Sequence, residues 1–304
     1  MIVVAAPGQG SQAQGFLAPW LEVDGVREIL GELGEAAKVD LITHGTVSDD
    51  DTIRDTKIAQ PLIVAASIVT GGLLFDGRRD RVGALAGHSV GEFAAAALAG
   101  ILSDKDALSL VGVRGRAMAD EAAKIETGMS ALLGGEPDDI TARLDELGLF
   151  PANMNGGGQV VVAGAKDALA ALAENPPAGA RVISLSVAGA FHTSYMGGAV
   201  ETLRDAAAGV VATDPSLAIY TNKDGSRVAS GATYVDLLVG QVSNPVRWDL
   251  CMESFTNDGV TGVIELAPAG ALVGLVKRAI KGTPTVAIKT PDDLPAAIEL
   301  LEAS

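Results

Sequence analysis

Val82-Gly83-Ala84-Leu85-Ala86-Gly87-His88-Ser89-Val90-Gly91-Glu92-Phe93-Ala94-Ala95-Ala96-Ala97 is an apolar run that breaks at one glycine and resumes past a second as an alanine-rich stretch. Val82–Ala86 has the length and composition of a buried strand, and Val90–Ala99 reads as the helix that follows. Between them, Gly87-His88-Ser89-Val90-Gly91 fits G-x-S-x-G, a strand-to-helix bend from which a serine projects. The bend demands small residues at both glycine positions. The helix beyond it turns free N–H groups and a positive dipole end toward any oxyanion formed at the serine. Glycine and serine are common, so the match acquires weight from its place between strand and helix.

Further strands flank this unit. Ile2–Ala5 is short and apolar, and Val263–Leu266 is followed by a helical pattern over Ala271–Ile280. Alternating strands and helices predict an α/β fold with a mostly parallel sheet covered on both faces, and a site at the carboxyl ends of the strands. The middle of the chain reads differently. Ser130–Leu133, Pro151–Asn155, Val160–Ala163 and Arg181–Val187 resemble strands, and Pro137–Leu147 and Lys166–Ala173 resemble helices. That β-α-β-β-α-β order is ferredoxin-like. Residues 129–188 are therefore expected to form a small subdomain inserted into a larger domain of residues 1–128 and 189–304.

Apolar residues make up 48% of the 304 positions and charged residues 20%, a balance that builds a core and argues against disorder. Lys and Arg number 22 against 38 Asp and Glu, a net charge of −16 that would repel nucleic acid. Cys251 is the only cysteine, which excludes an internal disulfide and suits a reducing cytoplasm. Met1–Ala6 lacks a basic flank and reads as a strand, not a signal peptide. Leu62–Phe75 is apolar but too short to span a bilayer, and is read as a buried helix. A soluble cytoplasmic monomer is the simple expectation.

A serine hydroxyl needs a general base. Of three histidines, His88 adjoins Ser89 on a bend where neighbouring side chains diverge, and His44 precedes the acidic Asp49-Asp50-Asp51. His192, where the inserted segment rejoins the main domain, is left as the candidate. Arg114 is the other telling residue. On a helix read over Ala107–Ala122, Leu110, Val111, Ala117 and Met118 surround it at helical spacing, so it falls on a buried face, whereas Arg116 lies near Asp120 and reads as a surface charge. A buried guanidinium must meet an anion, and its fork suits a carboxylate. That carboxylate could belong to the protein or to a substrate.

Taken in order, these pieces resemble the malonyl-CoA:acyl carrier protein transacylase family. Pro7-Gly8-Gln9-Gly10-Ser11-Gln12 is similar to its amino-terminal signature and Gly87–Glu92 to its elbow. Val113-Arg114-Gly115 is similar to its carboxylate-binding segment, and Asn155–Gly164 to the glycine-rich hairpin of its small subdomain. Gly189–His192 and Gln241–Trp248 are similar to its base segment and its late motif. The resemblance implies an α/β-hydrolase-like core with a ferredoxin-like insertion. It implies Ser89 as the acyl-carrying nucleophile and His192 as base, oriented by the backbone carbonyl of Gln241. The N–H groups of Gln9 and Val90 would form the oxyanion hole. Arg114 would hold the malonyl carboxylate, with Asn155 and Phe191 also on the substrate, Phe191 crowding a methyl-branched acyl group. One segment departs: Glu265-Leu266-Ala267-Pro268-Ala269-Gly270 carries alanines where glycines are frequent.

The implied reaction is ping-pong transfer from malonyl-CoA to acyl carrier protein, with no metal or cofactor, in fatty-acid or polyketide synthesis. Such carriers are acidic, so docking needs local cations, and Lys277, Arg278 and Lys281 form the candidate patch. Three rivals stand beside this reading. One is a serine hydrolase or thioesterase, which would usually orient its histidine with an acid. Another is a dinucleotide-binding protein, since Gly8–Ala13 fits G-x-G-x-x-A after a strand. The third is a carrier-binding scaffold without activity.

Overall fold

Strand β1 (Ile2–Ala6) lies at the middle of the molecule because it has no polar face to expose: all its residues are buried. The computed structural model describes residues 1–303. The other strands are β2 (Val82–Gly87), β3 (Thr127–Gly134), β4 (Phe150–Gly156), β5 (Gln159–Ala165), β6 (Ala180–Ser184), β7 (Gly262–Glu265) and β8 (Thr285–Ala287). One sheet has the order β2-β1-β7-β8 and is parallel throughout. The other has the order β4-β5-β3-β6 and is antiparallel. The fold is thus mixed α/β with one sheet of each kind.

Alternation along β1 divides the main core. Ile2, Val4 and Ala6 join a cluster with Leu62, Ile63 and Ala66, while Val3 and Ala5 join Trp248, Cys251, Phe255 and Leu272 on the other face. A strand buried on both faces reads as a continuous apolar run, which is the pattern observed. The antiparallel sheet is two-sided as well. Leu132 and Val162 pack on Ile140, Leu144, Leu169 and Leu172 of its own helices, whereas Met129, Ala131, Val161 and Ala163 turn toward the main core.

Boundaries differ from the sequence reading at three places. The apolar helix starts at Thr56, not Leu62, because Asp55 caps it by accepting the Lys57 N–H. At 20 residues, Thr56–Phe75 is long and apolar enough to cross a membrane, so the argument from shortness fails; its residues are instead largely buried within the fold. The helix carrying Arg114 starts at Asp104, capped by Ser103. Strand β6 stops at Ser184; the Leu185 N–H makes one more bond to the Met129 carbonyl at 3.0 Å, and Leu185 and Val187 then border a cavity.

Candidate active site

Ser89 stands at the end of β2, with φ of +52°, in the left-handed region that L-residues avoid. The bend is enforced sterically. A Cβ on Gly87 would lie 2.2 Å from the Glu92 nitrogen, and one on Gly91 would lie 2.2 Å from the Ala6 carbonyl oxygen. Only glycine fits at either position. Asn222 clamps the turn from outside: its Oδ1 accepts the Ser89 N–H at 2.8 Å and its Nδ2 donates to the Gly87 carbonyl at 2.8 Å. The helix Gly91–Leu98 follows at once.

His192 arrives from the other side with φ of +60°. Its Nε2 lies 2.8 Å from Ser89 Oγ, and its Nδ1 lies 2.9 Å from the Gln241 carbonyl oxygen. A carbonyl only accepts, so the proton sits on Nδ1 and Nε2 is left as the acceptor for the serine hydroxyl. Burial, reinforced by the charge of Arg114, pushes the imidazole down to about 3. The ring is neutral and able to take a proton. No acid orients it; the backbone of Gln241 does.

Arg114 is 1% exposed, as its helical neighbours predict. Its Nη2 donates to Ser89 Oγ at 3.3 Å and to Gln241 Oε1 at 3.0 Å. Its Nε and Nη1 are buried without a partner. The Phe93 ring lies 5.9 Å from Cζ and covers one face of the guanidinium. Burial lowers the group to about 10, opposed by Glu92, so it stays charged at neutral pH. Among the described residues its hydrogen-bond partners are neutral, which leaves the donors on Nε and Nη1 for an incoming anion.

Ser89 and His192 border a cavity of about 440 Å³ at the carboxyl ends of β1 and β2, and Arg114 lies behind its wall, reaching it through Ser89 Oγ. Gln9, Val90, Asn155 and Phe191 border it too. The Gln9 side chain is turned aside, donating to the Arg54 carbonyl and Thr56 Oγ1 at 3.3 Å each. Asn155 Oδ1 accepts from His88 Nε2 at 2.9 Å while its Nδ2 donates to Gln159. His88 therefore faces the same cavity as Ser89 instead of diverging from it. Lys277, Arg278 and Lys281 are exposed, and Arg278 reaches the cavity rim.

One expectation requires correction, and one rival falls. Arg116 is not a free surface charge: its Nη1 donates to the Ala37 carbonyl at 2.9 Å, where the helix Val26–Ala37 ends. The dinucleotide reading also fails. No helix opens at Gly8–Ala13; the chain passes through turns to the short 3₁₀ helix Ala18–Glu22, so a pyrophosphate would have no helix terminus to rest on. In the departing segment, Ala269 takes φ of +55°, a conformation better suited to glycine.

Sequence reasoning missed Glu92, Asn222 and Gln60. Glu92 carried a signal, a lone acid in an alanine-rich helix, but it was absorbed into the motif. Asn222 carried none. Gln60 is 2% exposed on the cavity wall, with its Oε1 unpartnered.

The acyl transferase domain model matches residues 4–292. A malonyl CoA-acyl carrier protein transacylase of Mycobacterium tuberculosis is 46% identical over 298 residues, covering 97% of this chain and 98% of the relative. The crystal structure of MCAT from Mycobacterium tuberculosis aligns with a TM-score of 0.94 at 45% identity, over 98% of this chain and 99% of that one. A malonyl-transacylase solved in complex with its type II PKS acyl-carrier protein aligns with a TM-score of 0.91 at 28% identity, over 98% and 99% of the two chains. Likeness of this extent in sequence and fold establishes that the chain belongs to the malonyl CoA-acyl carrier protein transacylase family.

Proposed function

We propose that the protein transfers a malonyl group from malonyl-CoA to the phosphopantetheine thiol of an acyl carrier protein, for fatty-acid or polyketide synthesis. One observation carries the reading: a buried guanidinium lies 3.3 Å from the nucleophile oxygen with two nitrogens unpartnered. A short acyl group ending in a carboxylate is the substrate that satisfies both the serine and the arginine.

In the mechanism we propose, Ser89 Oγ attacks the thioester carbon as its proton passes to His192 Nε2. The Gln9 and Val90 N–H groups receive the oxyanion. The tetrahedral adduct collapses, the carbon–sulfur bond breaks, and the departing thiolate takes the proton from His192. Because burial disfavours the imidazolium, that proton is given up readily. The carrier thiol then attacks the serine ester with the roles repeated in reverse. Two alike thioesters exchange, so the equilibrium lies near unity. Arg114 anchors the acyl group, and Phe191 limits bulk at its α-carbon. These steps use no metal or redox cofactor.

The β4-β5-β3-β6 sheet with its two helices supports a ferredoxin-like reading of residues 129–188, set into an α/β-hydrolase-like unit of residues 1–128 and 189–304. Cys251 as a free buried thiol fits a cytoplasmic location.

Intact-mass measurement after brief exposure to malonyl-CoA tests the function. The wild type should gain one malonyl group and Ser89→Ala should gain none. Steady release of coenzyme A without a thiol acceptor would point instead to a hydrolase.

A further inference from the structure

Glu92 takes no part in the steps above, yet it sits among the hydrogen bonds that hold the reacting groups. Its side chain is 2% exposed, in the first turn of the helix Gly91–Leu98. Its Oε1 accepts the Asn222 N–H at 2.7 Å and the Tyr234 hydroxyl at 3.4 Å, and its Oε2 accepts from Gln241 Nε2. Two of these partners go on to touch the reacting groups. Asn222 Oδ1 receives the Ser89 N–H. Gln241 gives its side-chain oxygen to Arg114 and its backbone oxygen to His192.

A buried guanidinium needs a hydrogen-bond acceptor. Direct pairing with a protein acid would supply it, but would fill the groups a substrate carboxylate must use. Interposing an amide separates the two demands. Glu92 holds the NH₂ end of Gln241, which forces the oxygen end toward Arg114. Arg114 then meets a neutral acceptor at Nη2, feels an acid one amide away, and keeps Nε and Nη1 unpartnered.

We propose that Glu92 is the positioning residue of this active site: it fixes the Gln241 amide so that its oxygen meets Arg114 and leaves the rest of the guanidinium unoccupied. This inference rests on the malonyl reading of the cavity. Burial raises the carboxyl to about 8 even against its hydrogen bonds and Arg114, and in either protonation state an oxygen remains to accept the Gln241 N–H, so the hold on the amide does not depend on charge. A buried acid perturbed in this way fits a place in an active site better than a place in inert packing.

The test compares malonyl and acetyl loading from their coenzyme A thioesters in the wild type, Glu92→Gln and Tyr234→Phe. Glu92→Gln keeps the shape and the Oε1 acceptor but sets an NH₂ against the NH₂ of Gln241, so the Gln241 amide turns its donors toward Arg114. Malonyl kcat/KM should fall about 20-fold or more, the range expected for a charged hydrogen bond, chiefly through KM. Acetyl loading, which does not use Arg114, should fall less, so the malonyl preference shrinks. Tyr234→Phe removes a bond to the same carboxyl away from Gln241. It should lower the Tm and leave the preference unchanged.

An unchanged preference in Glu92→Gln, or an equal loss in Tyr234→Phe, overturns the proposal. If Glu92→Gln does not fold, Glu92→Asp, which keeps the carboxyl but withdraws it from Gln241, must show the reduced preference or the proposal fails. A wild type that loads no malonyl would reject the proposed function itself, whereas normal wild-type loading with an intact preference in the variants rejects only the role of Glu92.

Discussion

Ser89 and His192 meet at 2.8 Å through side chains whose backbones both lie in the left-handed region, at φ of +52° and +60°. Neither is glycine, so each position costs about 1–2 kcal/mol. The surroundings hold both in place. Asn222 takes the Ser89 N–H, and the Val242 carbonyl takes the His192 N–H at 3.2 Å. Backbone strain on both members of one reacting pair is a mark of a site where geometry has been favoured over stability.

That strain predicts a difference between two inactive variants. Ser89→Gly and Ser89→Ala should both fail to form an acyl adduct. The glycine variant should be more stable than the alanine variant by about 1 kcal/mol, because only alanine keeps a Cβ at positive φ. Thermal denaturation should separate them by about 2 °C. Identical midpoints would show that Ser89 is not strained.

Arg114→Ala should reduce malonyl kcat/KM by about a hundredfold or more, since charged hydrogen bonds contribute about 1.5–3 kcal/mol each. Acetyl loading should change far less. The variant should also be less stable, because Glu92 would lose the charge that offsets its burial. Steady-state kinetics with both thioesters decides the first point, and unaltered malonyl selectivity would end the carboxylate assignment.

The acid limb of activity should lie well below the ordinary histidine range. His192 is held down to about 3 by burial and then by Arg114, so the base remains neutral through mildly acid pH. The profile of kcat/KM should be flat across pH 6.5, so far as His192 controls it. Stability carries the matching sign. The unfolded histidine binds a proton below about 6.5 and the folded one does not, so its contribution is complete above that pH. It is lost as pH falls toward 3, by up to about 1.4 kcal/mol per pH unit. Denaturant titrations at pH 7 and pH 5 check the slope.

Lys277→Glu with Lys281→Glu should raise the KM for carrier protein several-fold and leave that for malonyl-CoA unchanged. Both side chains are exposed, and the chain carries a net charge of −16, so local cations must supply attraction to an acidic carrier. Added salt should shrink the difference between wild type and variant. Equal changes in both KM values would place the docking surface elsewhere.

Much of the candidate site could be read from short windows of sequence. Gly87 and Gly91 announce a bend because only close backbone contact excludes a Cβ there. Arg114 shows its burial through apolar neighbours one turn away. The run Ile2–Ala6 shows a strand covered on both faces. These are local facts, set by sterics and by helical or strand period within a few residues. They also misled where composition alone was followed: the apolar run did not reveal that its helix begins at the Asp55 cap.

The network around the reacting groups could not be read in this way. Gln241 and Glu92 are 149 positions apart, and Ser89 and Asn222 are 133 apart. Nothing in either neighbourhood states which distant polar group will complete it. By itself the sequence determined the elbow, the buried arginine and the alternation of strands and helices, because those depend on covalent neighbours and on burying apolar side chains. Only tertiary structure decided that an amide would stand between Glu92 and Arg114, leaving the guanidinium charged with Nε and Nη1 unpartnered. The pairing of buried polar groups is settled by which chain segments the core brings together.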